Sequence, residues 1–226
     1  MIDQKLLAYF EGYLTENRKT LFKKVLEDRT RHFTVVLEDI FQPHNASAVV
    51  RTCDIFGIQD VHAIENKYNH KISRHVAKGS QKWLTYNRYR EDRDNTASCL
   101  ASLKEKGYQI IATTPHNDSC VLQDFDVTKK AAFVFGVEAE GVSDTVMENA
   151  NGFLKIPMVG FTESLNISVA AAIILQEVTS KLRNSNVDWK LSDEEKENLY
   201  FNWVKTTIKN VDKIEAHYNQ NVTNIS

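Results

Sequence analysis

The sequence predicts an α/β fold, a mostly parallel sheet flanked by helices, with short helical extensions at both ends. Three observations predict it. Apolar or β-branched runs of about five residues alternate with segments of helical spacing between residues 32 and 183. Two of those runs, at 33–37 (FTVVL) and 131–135 (AAFVF), are apolar without alternation, as strands covered on both faces are. Glycines and capping residues punctuate the segments, as in Gly57, Gly107 and Ser143.

Taken in order, residues 3–28 read as two amphipathic helices, the second with Leu21, Phe22, Val25 and Leu26 on one face. The strand at 33–37 follows. Asn45 is then placed to cap a helix whose apolar positions are Ala46, Val49, Val50, Cys53 and Phe56, with Gly57 ending it. A strand is expected at 58–64, and residues 66–82 are too polar to assign. A helix at 96–106 stops at Gly107, and strands follow at 109–113 and 131–135. Ser143 caps a short helix ending near Ala150, followed by a strand at 152–156 and a long helix at 166–181. That last helix carries no charge between Glu163 and Glu177 and is apolar on every side, which requires cover beyond the sheet; a second subunit is the simplest source. The expected divisions are 1–31, 32–183 and 184–226, the first and last being helical extensions.

Composition narrows the function. No apolar run approaches the roughly 18–20 residues that cross a bilayer, and the first residues lack a basic-then-apolar leader, so a soluble cytoplasmic protein is expected. Cys53, Cys99 and Cys120 are far apart, and neither C-x-x-C nor H-E-x-x-H occurs, so no metal site is expected. Without G-x-G-x-x-G after a strand, a nicotinamide-binding domain is disfavoured. The formal net charge of −2 conceals a local excess: residues 67–93 hold eight Lys or Arg against two acids, interleaved with Tyr68, Trp83, Tyr86 and Tyr89. Cations that neutralise phosphates, beside rings that stack on unpaired bases, suit RNA.

Ligands of parallel α/β sheets bind beyond the carboxyl ends of the strands. Three segments there carry polar sets: PHNASAVVRTCDIFG with His44, Asn45 and Arg51; FVFGVEAEGVS with Gly136, Glu138 and Gly141; and IPMVGFTESLNISVAAA with Ser164, Asn166 and Ser168. In order and spacing these resemble the three motifs of the SpoU/TrmH family of RNA ribose 2′-O-methyltransferases, in the SPOUT class. The resemblance covers about residues 32–183. It implies a trefoil knot in the C-terminal part of the sheet, S-adenosylmethionine as methyl donor, and active sites at a homodimer interface.

By the same resemblance the donor would lie against Thr113, Gly136, Ile156 and Leu165. Arg51 would fix a phosphate and stabilise charge on the 2′-oxygen; Asn45 would orient Arg51, Glu138 would hold either, and Ser164 and Asn166 would line the ribose. The stretches from Phe33 to Ile58 and from Leu154 to Leu175 are most similar to the subgroup acting on guanosine 18 of the tRNA D-loop, and Arg29, His44, Lys82 and Lys104 fall where that subgroup meets RNA. Ala139 departs from the lysine common there. Ribosomal RNA as substrate, and a non-catalytic RNA-binding protein of the same fold, are the competing readings.

Overall fold

The computed structural model describes residues 2–114, 120–137 and 140–223, and it divides into two compact units, 30–189 and 1–29 with 190–226. The larger unit holds β1 (Phe33–Glu38), α3 (Pro43–Ile55), β2 (Asp60–Ile64), α4 (Arg74–Ala77), β3 (Thr85–Tyr89), α5 (Asn95–Glu105), β4 (Gln109–Thr113), β5 (Cys120–Val121), β6 (Ala131–Phe135), α6 (Asp144–Asn149), β7 (Gly152–Lys155) and α7 (Ile167–Arg183). The smaller holds α1 (Gln4–Glu11), α2 (Glu16–Leu26), α8 (Asp193–Thr207) and α9 (Val211–Thr223). The two ends of the chain therefore share one unit: Phe22 rests edge-on against Tyr200 and Trp203, and the Tyr200 hydroxyl donates to Glu11 at 2.6 Å.

The seven strands run β3-β2-β1-β6-β4-β7-β5, every pairing parallel. β1 and β6 occupy the middle and are buried along their whole length. Side chains alternate across the sheet with period two. Phe33, Val35, Leu37, Phe133 and Phe135 thus pack on one face with α3 and α7 residues such as Val49, Val50, Ile174 and Val178. Val36, Ala132 and Val134 pack on the other with Leu100, Leu103 and Val146 from α5 and α6. β7, the last strand in the chain, enters between β4 and β5, both earlier.

Most predicted elements form within a residue or two of the expected bounds. Three differ. α3 begins at Pro43, with Gln42 as its N-cap, so Asn45 sits in the first turn and does not cap the helix; proline is favoured at that first position because its missing N–H has no partner to lose. The unassigned segment contains α4 and a 3-10 turn at Ser80–Lys82. Residues 85–89 form β3, with Tyr86 packed on one core and Tyr89 on the other.

Among the described residues of the sheet unit three histidines are buried, and burial lowers the pKa of each: His32, His62 (to about 4) and His70. A histidine kept neutral by folding, but titrating near ~6.5 when unfolded, gives stability that is present above ~6.5 and lost as pH falls towards the folded value. His62 alone should remove about 2 kcal/mol between pH 7.5 and pH 5. Urea unfolding at the two pH values checks this; equal stabilities would contradict it.

Candidate active site

The site is built at the carboxyl ends of β1, β4, β6 and β7. Beyond β4, β6 and β7 lies a cleft of about 650 Å³, its open mouth included. Its walls are apolar (Phe135, Leu154, Ile156, Met158, Leu165, Ile174), with Thr113, Gly136 and Ser164 adding polar and backbone groups. Small-molecule sites likewise combine apolar walls with a few polar groups. All four residues expected at the methyl donor, Thr113, Gly136, Ile156 and Leu165, line this cleft although they come from three separate segments, Ile156 and Leu165 sharing the loop between β7 and α7. Among the described lining residues the one charged group is Lys155.

Gly136 has a structural reason that the sequence did not reveal. A Cβ there would lie 2.0 Å from the Gly141 carbonyl oxygen and 2.4 Å from the Val142 nitrogen. The close approach is thus by the chain's own backbone. Val137 and Gly141 exchange two backbone hydrogen bonds, at 2.9 and 2.8 Å, and Gly141 supplies the turn's positive φ of 73°. The end of this hairpin is held to β1: the buried Glu38 accepts from the Ser143 N–H at 2.8 Å, from its hydroxyl at 2.6 Å and from Thr96 at 2.8 Å. Glu138, between Val137 and Gly141, lies outside the described residues.

Asparagines join the first and third motifs. Asn166 caps α7, its Oδ1 accepting from the Ser168 N–H at 2.9 Å and hydroxyl at 2.6 Å. Its Nδ2 donates to Asn45 Oδ1 at 3.2 Å, and Asn45 in turn donates to Gln42 at 3.4 Å. Ser164 and Leu165 lead directly from the cleft to this pair. Arg51 stands apart. Six residues after Asn45, it lies about 240° further round α3, so the helix does not turn it towards Asn45. Its side chain is exposed, and among the described residues it makes no hydrogen bond or ion pair.

Of the residues expected at RNA, His44, Lys82 and Lys104 are exposed, with Lys104 donating to Asn149 at 3.0 Å. Arg29 is not at the surface. It is 2% exposed, its guanidinium 5.3 Å from the centre of the Trp203 ring, where it serves packing within the terminal unit. The basic, aromatic stretch is also reinterpreted: Trp83, Tyr86 and Tyr89 are partly buried and Arg88 pairs with Glu65 at 3.4 Å, which leaves Tyr68 as its exposed ring. Among the described residues no group of three or more His, Cys, Asp or Glu is placed to hold a metal, and no helix is long and apolar enough to cross a membrane.

Sequence reasoning also missed Asp39. Its backbone takes a φ of 50°, and its Oδ1 accepts from the N–H groups of Asn66, Lys67 and Tyr68 at 2.8, 2.7 and 3.4 Å. This ties the segment after β2 to the end of β1. A lone aspartate after a strand gives no signal of that role.

The profile described as "SpoU rRNA Methylase family" matches residues 32–176. The chain belongs to that family. Among curated proteins it is 40% identical, over 93% of its length and 95% of the relative's, to the tRNA (guanosine(18)-2′-O)-methyltransferase of Borreliella burgdorferi. It is 39% identical to the enzyme of the same name from Thermus thermophilus, over 72% of this chain and 82% of that one. Among solved structures, the Aquifex aeolicus TrmH/SpoU tRNA-modifying enzyme superposes with a TM-score of 0.77 at 33% identity, covering 86% of this chain and 98% of that one. SpoU family members are S-adenosylmethionine-dependent methyltransferases, and the α/β fold with its parallel sheet is the one the motifs imply.

Proposed function

We propose that this protein transfers a methyl group from S-adenosylmethionine to the ribose 2′-oxygen of guanosine 18 in the tRNA D-loop. The observation that carries the reading is a cleft lined by the second and third motif segments together, with Asn45 of the first segment bonded to Asn166 of the third, next to the lining residues Leu165 and Ile167. The 40% identity over nearly the whole of a relative with that activity supports the choice of RNA. When bound, S-adenosylmethionine supplies a methyl group already activated on a sulfonium centre. The chain has then to align and to exclude. The apolar cleft takes the donor, Ser164 and Asn166 at its mouth line the ribose, and Asn45 holds Asn166 in place.

Arg51 acts from a second copy of the chain. Its exposure and its orientation away from Asn45 support that arrangement. So does an apolar surface along the third motif and α7: Val159 and Phe161 are fully exposed, with Leu165, Val169 and Ile173 beside them in sequence and between 39 and 45% exposed. In the homodimer these residues are covered, and Arg51 reaches the partner's cleft, where a guanidinium, which stays protonated, stabilises charge growing on the 2′-oxygen. His44, Lys82 and Lys104 contact the tRNA backbone. The late entry of β7 between β4 and β5 supports the trefoil threading expected of this part of the chain. As a tRNA-modifying enzyme the protein works in the cytoplasm.

Incubation with labelled S-adenosylmethionine and unmodified transcripts tests the reading. A tRNA transcript should be labelled and a ribosomal RNA transcript should not; the reverse pattern would overturn the choice of substrate.

A further inference from the structure

Two aromatic rings stand open beside the proposed active site. Phe41, in the loop between β1 and α3, is 62% exposed, and Tyr68 is 40% exposed. Their centroids are 5.0 Å apart at an interplanar angle of 66°, so the edge of one ring supports the face of the other. Large apolar rings left in water in this way are held there by the backbone around them. Asp39 fixes the turn carrying Tyr68 through three N–H groups. The Ile40 N–H donates to the buried His70 Nε2 at 3.2 Å, and the Ser73 N–H donates to Ser47 Oγ at 2.8 Å. The segment 66–73 is thereby fastened to the strand end and helix that carry Asn45.

The exposed charge around the pair is mostly positive. Lys67, Lys71, Arg74 and His44 are exposed near it in sequence, and the neighbouring acids Asp39 and Glu65 are buried in hydrogen bonds. Glu140 is exposed but pairs with Lys67 at 3.4 Å, which links the turn to the Gly136–Gly141 hairpin. Exposed rings among cations match a nucleobase whose phosphates lie alongside.

We propose that Phe41 and Tyr68 form a stacking subsite for an unpaired nucleobase of the RNA bound at this cleft. The inference rests on the RNA methyltransferase reading and adds to it a recognition element that holds a base splayed from the loop while the ribose is presented. It uses shape and π-face alone, so it secures an unstacked base of any identity and leaves sequence choice to other contacts.

The test replaces both rings while keeping apolar volume, in the double variant Phe41→Leu/Tyr68→Leu. Set beside it is the ring-preserving pair Phe41→Tyr/Tyr68→Phe. The leucine variant should raise KM for the tRNA transcript, and weaken its binding in fluorescence anisotropy without methyl donor, by about 5- to 150-fold. Its kcat and its affinity for S-adenosylmethionine should stay unchanged, and the ring-preserving pair should behave as wild type. Unaltered tRNA affinity in the leucine variant would overturn the subsite. So would a change in oligomeric state by sedimentation with no separate loss of tRNA binding, which would make the rings a protein contact. A wild-type protein that binds and methylates no tRNA would instead sink the underlying reading, so the two failures are distinguishable.

Discussion

Arg51→Ala should reduce methyl transfer at least about a hundredfold while leaving S-adenosylmethionine affinity and thermal stability close to wild type. The size follows from what such groups do elsewhere: removing one donor aimed at developing negative charge lowers kcat by about 10²–10³. The selectivity follows from position. Arg51 is exposed on α3, does not line the cleft, and makes no hydrogen bond or ion pair among the described residues, so its loss leaves both core and cofactor walls intact. Arg51→Lys should recover little, because a point charge does not reproduce the planar fork of a guanidinium. Single-turnover rates, with calorimetric titration of S-adenosylmethionine, check both halves. A variant retaining most of the rate would remove Arg51 from the reaction.

Gly136→Ala should be the most damaging of the glycine-to-alanine changes for which the described residues fix the added Cβ contacts. The added methyl would meet the Gly141 carbonyl and the Val142 nitrogen at distances real Cβ atoms do not reach, and those atoms are backbone that no rotamer change can move. Relief requires opening the Val137–Gly141 bridge, which forms one wall of the cleft. Overpacking of this kind costs about 3 kcal/mol, or a fall in Tm of roughly 6–12 °C, and donor affinity should drop at least tenfold. Gly152→Ala is the matched control. Its Cβ would meet Ile111 Cδ1 at 3.4 Å, an ordinary contact, and the strand should accept it. Equal behaviour of the two variants would refute the steric account.

The contrast between these glycines also marks where reading the sequence stops. Gly136 was visible as a residue that needed no side chain, but the neighbour that forbids one is Gly141 with Val142, brought back by a hairpin no periodicity encodes. The central strands were legible because β1 and β6, covered on both faces, must be apolar throughout. β3 was not, because it lies at the sheet's edge and its TYNRY carries only rings as apolar content. Those rings suggested a surface for bases, yet Tyr86 and Tyr89 serve the two cores. Arg29 misled for a similar reason: its cover, Trp203, is 174 positions away. Asn45 was read as a helix cap, but Pro43 starts the helix two residues before it and leaves the Asn45 side chain to accept from Asn166. The four positions expected at the donor came from motif resemblance, and the folding of β4, β6 and β7 side by side places them along one cleft.

The central claim, that the methyl group goes to a ribose oxygen at this cleft, is tested most directly by identifying the labelled nucleoside. After reaction with unmodified tRNA, complete digestion should release 2′-O-methylguanosine from the D-loop, and a transcript carrying 2′-deoxyguanosine at that one position should take up no label. Methyl found on a base, or undiminished labelling of the deoxy-substituted transcript, would contradict the account.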